Sequence, residues 1–115
     1  MRGVVTVTVS AAASAPASRW IPLNLYNEPF DASFGLVLAT AAASGRTWKV
    51  QHTFDDVQDP SVTPTAFDHS TVSAAAANVD GSYTEGVVAV RLAMAGSAAT
   101  VSGQSATLTV LQTGY

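Results

Sequence analysis

The residues best suited to chemistry lie between His52 and His69. Four aspartates fall in this stretch: Asp55, Asp56, Asp59 and Asp68. Closely spaced carboxylates are the ligands that Ca²⁺ prefers, but the order of an EF-hand loop and its glutamate at the twelfth position are missing. We therefore predict a solvated, turn-forming acidic loop, with no resident metal. A Ca²⁺ or Mg²⁺ site in the Asp55–Asp68 segment is the alternative.

The two histidines do not form a recognisable catalytic motif. The Gly-x-Ser-x-Gly turn that exposes a serine nucleophile is absent. The chain has no cysteine, which excludes a cysteine nucleophile, a disulfide framework and a thiolate zinc site. His52 lies between Val50 and Phe54 on the apolar face of a predicted strand, which is typical of a core or interface histidine. We predict that the chain is not an enzyme, with no catalytic residue and no cofactor.

The charge content of the chain points to assembly. Five Lys and Arg against eight Asp and Glu give a net charge of −3, and charged residues make up 11% of the 115 positions, against about 25% in an average soluble domain. Without a basic excess, nucleic-acid binding is not expected. No apolar run approaches the ~18 residues of a membrane span. So weakly charged a surface predicts a subunit covered by partners, and self-association as a dimer or trimer.

Alternation of apolar and polar residues predicts short strands along most of the chain. The clearest is Arg46–Phe54, where Trp48 is expected in the interior together with Val50 and Phe54. Asp80-Gly81 predicts a turn. Further strands are predicted at Val4–Val9, Trp20–Tyr26, Phe34–Ala41, Val87–Ala95 and Ala106–Gln112. Seven or eight such strands favour an all-β antiparallel sandwich, jelly-roll-like in its arrangement.

The first 18 residues are expected to form a strand and an Ala/Ser arm, followed by a sandwich domain over residues 19–115. The strand carries no charge to protect its edge. It therefore either closes its own sandwich or pairs with another chain. Pro22 cannot donate to a ladder, which places its strand at a sheet edge or a bulge. The residues predicted at an interface are Val5, Val7, Val9, Trp20 and Tyr26. Because Trp20 and Tyr26 share one strand face, they are also the aromatic platform of an alternative sugar-binding function.

Several segments after residue 46 resemble those of small structural proteins of tailed bacteriophages. They are Thr47–Pro60 (TWKVQHTFDDVQDP), Thr65–His69 (TAFDH), Val88–Leu92 (VAVRL) and Ala106–Gln112 (ATLTVLQ). The resemblance extends over roughly Phe34 to Gln112. Its motifs mark no catalytic residue, so none is carried over.

The resemblance implies a virion component, most simply a β-sandwich cement or decoration protein on the capsid surface. Its partners would be the major capsid protein and further copies of itself, and it would stabilise the head by clamping capsomers. The alternative within the virion is a head-completion or tail component. A carbohydrate-binding module or adhesin is the alternative from a different class.

Overall fold

The protein folds as two antiparallel sheets. A computed structural model describes residues 4–10, 17–24, 30–38, 47–95 and 105–112. None of the described residues forms a helix long and apolar enough to cross a membrane. The strands are β1 (Val4–Ser10), β2 (Ile21–Pro22), β3 (Ala32–Leu38), β4 (Thr47–Thr53), β5 (Phe67–Asp68), β6 (Val79–Tyr83), β7 (Ala89–Ala95) and β8 (Ser105–Gln112).

The strand order is that of a jelly roll. Sheet A has the order β1-β8-β3-β6 and sheet B the order β2-β7-β4-β5. The first strand pairs with the last, the second with the seventh, the third with the sixth and the fourth with the fifth. The chain is therefore one long doubled ribbon, wound so that its two halves stack face to face. The predicted all-β sandwich is confirmed.

The core lies between the two inner faces, and Trp48 is at its centre. Its side chain is only 1% exposed and Val50 beside it is fully buried, as expected from the alternation. Phe54 does not join them, and that part of the prediction is wrong. Because β4 ends at Thr53, its alternation stops there, and Phe54 is 57% exposed.

The Asp80-Gly81 turn prediction is also wrong, because both residues lie inside β6. The glycine is needed there for space rather than for a turn. Gly81 lies opposite Phe34 in the ladder between β3 and β6. A Cβ at this position would come within 2.7 Å of the Phe34 ring. The buried ring thus packs directly onto the glycine backbone.

The N-terminal strand completes its own sheet. All seven residues of β1 pair with β8, from Val4 opposite Leu111 to Ser10 opposite Ser105. Val7 and Val9 are buried in the core. Of the two expected pairings, the structure therefore has the one within the chain. The predicted Ala/Ser arm falls mostly on residues 11–16, which lie outside the described residues, so the division at residue 18 stays a prediction.

Candidate binding surfaces

The outer face of sheet B is held together by a row of polar side chains. Gln51 on β4 lies opposite Arg91 on β7 and Asp68 on β5. Arg91 Nε donates to Gln51 Oε1 at 2.9 Å, and Gln51 Nε2 donates to Asp68 Oδ1 at 2.9 Å. Lys49 Nζ lies 3.4 Å from the same carboxylate oxygen, and the Arg91 guanidinium lies 4.5 Å above the Trp20 ring. These groups are engaged with one another, so this face has few free polar groups for a partner.

The polar residues of the resembling motifs serve the fold. Gln51 and Arg91 belong to the row just described. Gln112, at the end of the last motif, is buried; its side chain accepts from Asn24 N at 2.8 Å and donates to Asn24 O at 3.0 Å. Both ends of one amide therefore join β8 to the segment that follows β2. These three side chains consequently stabilise the sandwich.

The outer face of sheet A is different, because it is almost uncharged. Two threonine pairs span β1 and β8: Thr6 with Thr109 at 3.3 Å, and Thr8 with Thr107 at 3.1 Å between hydroxyl oxygens. At the centre of this face, a Cβ added to Gly35 would have no atom within 4 Å. The pairing register places these described residues on it: Val4, Thr6, Thr8, Ser33, Gly35, Val37, Asp80, Ser82, Thr107, Thr109 and Leu111. Asp80 is the one ionisable side chain in that set.

Among the sheet edges of the described residues, the edge of β1 is the least protected. The edge strands β2 and β5 have only two residues each, and β2 contains Pro22. The edge strand β6 carries Asp80. The strand β1 has seven residues with neither a charge nor a proline, and no described strand pairs with its outer side. Such an edge is able to accept a strand from another chain.

The exposed large apolar side chains of the described residues form two groups. Three of them, Val4, Val37 and Leu111, belong to the outer face of sheet A. The other two, Phe54 and Phe67, have ring centroids 5.6 Å apart, and Phe54 lines a pocket. Both groups mark candidate contact surfaces.

The pocket has a volume of about 390 Å³ and opens where β4, β5 and β6 meet. Its inner part is aromatic and buried, with the Tyr83 and His69 rings edge to face at 4.9 Å. His52 connects this inner part to the surface. Its ring stacks on Phe67 at 5.8 Å and meets Phe54 edge to face at 5.5 Å. The volume falls within the range of ~300–1,000 Å³ typical of ligand sites.

The pocket is acidic. Asp68 and Glu85 line it, and no Lys or Arg does so within the described part of the chain. Hydrogen bonding from Gln51 lowers the pKa of Asp68, which keeps that carboxylate charged. Burial, together with His69, lowers the pKa of His52 below its ordinary value of 6.5, although Asp68 and Glu85 act in the opposite direction. His52 is therefore neutral at pH 7, and the charge of Asp68 is balanced by Lys49 rather than by the imidazole.

Both histidines have structural partners. His52 Nδ1 and the Tyr83 hydroxyl lie 3.0 Å apart, and this hydrogen bond connects the two sheets. Burial raises the pKa of Tyr83, so its hydroxyl stays protonated. His69 Nδ1 accepts from the backbone amides of Thr71 and Val72, which places the ring proton on Nε2, where it is donated to Ser82 O.

The aspartates of the acidic loop cap turns. Asp56 accepts from Gln58 N, and Asp59 accepts from the amide and the hydroxyl of Ser61. Asp55 Oδ2 accepts from Thr65 N at 2.7 Å, which closes the loop across ten residues. Within the described residues, no three Asp, Glu or His side chains come together in a metal-binding group.

The predicted interface residues are not all on the surface. Val7 and Val9 are buried, and Val5 packs against the same core. Trp20 is half-buried beneath Arg91. Tyr26 lies outside the described residues. Their interface role stays a prediction, and the side chains that β1 offers to a partner are Val4, Thr6 and Thr8.

The chain shows no match to models of known protein families, to curated proteins or to solved structures. The proposed function therefore rests on the fold and its surfaces. Sequence reasoning missed Tyr83 and Glu85, which line the pocket, and Phe67, which stacks on His52. It also missed Val37 and Leu111 on the outer face of sheet A. The one signal for Val37 and Leu111 is that each is an apolar residue directly beside a buried one, Leu36 or Val110, and therefore lies on the opposite strand face.

Proposed function

We propose that this chain is a structural protein of a tailed-bacteriophage virion, acting as a capsid cement or decoration protein. The observation that carries the proposal is the outer face of sheet A, which is almost uncharged and ends at the open edge of β1. A surface of this kind suits burial against a protein partner, and backbone pairing at the edge adds affinity. The resemblance of the strand motifs to phage structural proteins supplies the virion context. Jelly rolls recur in viral capsid domains and also in lectins, so the fold itself favours neither class.

The mechanism is mechanical. Each subunit buries the uncharged face of sheet A across a boundary between capsomers, with the major capsid protein and further copies of itself as partners. Many modest contacts then add up to a large stabilisation of the head through multivalency. The polar row on sheet B stays on the solvent side, where its charges maintain solubility.

Binding to purified heads that lack the subunit tests the proposal. Gly35→Lys places a charge at the centre of the face, and the open space above Gly35 accommodates the added side chain. A melting curve checks that the variant folds. We expect the unaltered chain to sediment with heads in stoichiometric amounts and to raise their resistance to heat, and Gly35→Lys to lose both effects. Thr63→Lys, in the exposed acidic loop, is the matched control and should bind normally.

Other outcomes contradict the proposal. Equal binding by Gly35→Lys and Thr63→Lys would show that the outer face of sheet A does not contact the head. Recovery of the chain only with tails or with the head–tail junction would move it to a head-completion or tail role. Binding of isolated chain to a glycan array, without binding to heads, would favour the carbohydrate-binding alternative. For that alternative Trp20 is a poor platform, because Arg91 covers its ring.

A further inference from the structure

The strand β1 has a sequence that matches a second copy of itself. Its central residues, Val5-Thr6-Val7-Thr8-Val9, read the same in both directions around Val7. Two identical strands that pair antiparallel are related by a two-fold axis, so residues equally far from the central residue lie opposite each other. With Val7 on the axis, Val5 lies opposite Val9 and Thr6 lies opposite Thr8. Valine thus meets valine, and threonine meets threonine.

This register also keeps the two faces of the sheet apart. Val7 and Val9 are buried on the inner side of β1, and Val5 packs against the same core. Thr6 and Thr8 are exposed on the outer side. A shift by one residue would bring the inner side of one copy beside the outer side of the other, and a larger shift would leave the strand ends unpaired. The register centred on Val7 is therefore the one that preserves the faces and pairs all seven residues of β1.

The pairing of β1 with β8 shows that these side chains suit close strand contact. Thr6 lies opposite Thr109 and Thr8 opposite Thr107, with hydroxyl oxygens 3.3 Å and 3.1 Å apart. A hydroxyl has one donor and two acceptor sites, so each threonine of β1 can also bond to a hydroxyl on its other side. The rows of threonine hydroxyls would then continue from β8 through both copies of β1.

The uncharged character of β1 favours a copy of this chain as the partner. A two-fold contact brings a charged group close to the same group of the other copy, so a charged edge strand repels itself. The edge strands β5 and β6 carry Asp68 and Asp80, and β2 contains Pro22, which cannot donate to a ladder. The strand β1 has neither feature, and no described strand pairs with its outer side. Among the described edges, it is the one compatible with its own copy.

We propose that two copies of the chain associate edge to edge through β1, as an antiparallel pair centred on Val7. The two A sheets then form one sheet in the order β6-β3-β8-β1-β1-β8-β3-β6. Because the axis is perpendicular to this sheet, the outer faces of both copies lie on the same side and form one continuous surface. The contact uses the β1 edge of both copies, so it closes at the dimer. The role of the dimer rests on the proposed function, since it doubles the face offered to a head.

Sedimentation equilibrium of the free chain, without heads, tests the inference. We expect a reversible dimer of twice the 11.7 kDa chain mass. The double variant Thr6→Lys/Thr8→Lys places lysines opposite each other across the axis and should weaken the dimer by about tenfold or more. Ser33→Lys/Gly35→Lys is the matched control, because it adds the same charge at the same spacing on the same face, two strands from the edge. This control should dimerise normally, and melting curves of dilute samples check that both variants fold.

Disulfide formation between cysteine variants tests the register. The chain has no cysteine of its own, so a single introduced thiol is unambiguous. Thr6 of one copy lies opposite Thr8 of the other in the proposed pair, at a separation that a disulfide can span. An equimolar mixture of Thr6→Cys and Thr8→Cys should therefore form a covalent dimer on mild oxidation, and either variant alone should form much less. This measurement decides the question even where the lysine variants do not fold.

Three results would overturn the inference. The first is a free chain that stays monomeric up to about millimolar concentration. The second is equal weakening by the two lysine variants, which would show that the contact does not involve β1. The third is a covalent dimer of Thr6→Cys or Thr8→Cys alone that is as abundant as that of the mixture, which would indicate another register. A chain that dimerises as expected but does not bind heads would contradict the proposed function and leave the dimer confirmed.

Discussion

At the scale of single residues, His52 is the junction between the two sheets and the pocket. Its ring contacts Phe54, Phe67 and Tyr83, and its Nδ1 shares a hydrogen bond with the Tyr83 hydroxyl. Protonation of this ring would place a charge among aromatic groups, and burial of the ring and the neighbouring His69 both disfavour that charge. The folded state therefore favours the neutral ring.

This preference makes stability depend on pH. The pKa of His52 is lowered on folding, so the unfolded chain binds the proton more readily, and the free energy of unfolding rises with pH across that range. The contribution of His52 to stability is complete above the ordinary histidine pKa of 6.5 and is lost as the pH falls below that value. We expect the melting temperature to drop between about pH 7 and about pH 5, and His52→Gln to flatten the drop. Identical slopes for both proteins would contradict this.

Trp48 is the residue on which the core depends most. It is the largest of the fully buried side chains among the described residues. Trp48→Ala should lower the free energy of unfolding by about 3–5 kcal/mol, through lost apolar burial and a residual cavity. Urea denaturation measures this, and Trp20 remains as the fluorescent reporter. Thr63→Ala, at an exposed loop position, should change the free energy of unfolding by no more than about 0.5 kcal/mol. A Trp48→Ala variant with an equally small change would contradict the central position of the indole in the core.

At the scale of elements, β1 matters for the core as well as for its edge. Its inner side supplies Val7 and Val9, while its whole length pairs with β8. Removal of residues 1–10 should therefore unfold the domain. Circular dichroism and a melting curve measure this, with Thr8→Lys as a control that alters the outer side only. A truncated chain that melts like the full chain would contradict the contribution of β1 to the core.

The acidic loop between β4 and β5 is the second element with a testable property. Its aspartates are occupied by backbone and hydroxyl donors, and the bond from Thr65 N to Asp55 closes it. We expect EDTA to leave the melting temperature unchanged, and Asp55→Ala to lower the free energy of unfolding by about 1 kcal/mol. A fall in melting temperature on chelation that Ca²⁺ reverses would indicate a metal site instead.

The pattern of β-branched and apolar residues was enough to predict most strands, because a strand with one buried face alternates with period two. The edge position predicted from Pro22 is confirmed. Short pairings such as β5 lack this signal, because two residues cannot show a period. The turn predicted at Asp80-Gly81 was wrong for a related reason. An Asp-Gly pair is common in turns, but a glycine within a strand also leaves room for a ring on the neighbouring strand. Here the position of Phe34 opposite Gly81 distinguishes the two, and the sequence does not show that position.

The candidate site was harder to predict than the fold. His52 was recognised as a core or interface residue, but its neighbours Phe67 and Tyr83 come from other strands. A single sequence does not state which strands adjoin. The pocket therefore emerges only from the nested pairing, which brings β4, β5 and β6 to one place.

At the scale of the whole molecule, the outer faces of the two sheets differ in polarity. The outer face of sheet A has Asp80 as the one ionisable group among its described residues and borders the open edge of β1. The outer face of sheet B is held together by its polar row. This asymmetry gives the molecule two outer faces of different polarity, as the proposed function requires. The pocket opens where β4, β5 and β6 meet, and Ser82 belongs both to its lining and to the outer face of sheet A.

The nested strand pairing also determines the order in which the chain can fold. Gln51 and Asp68, at the turn of the ribbon, are 17 residues apart, whereas Thr6 and Thr109 are 103 residues apart. The entropy cost of closing a loop grows with its length, so pairs near the ribbon's turn form first and each shortens the next closure. Pulse-labelled hydrogen exchange should show amides of β4 and β7 protected before those of β1; the reverse order would contradict this zipper. While β1 is still unpaired, β8 lies open beside it, and at high concentration the β1 of a second molecule can take that place. The last step of folding is thus also the step at which two chains can exchange strands.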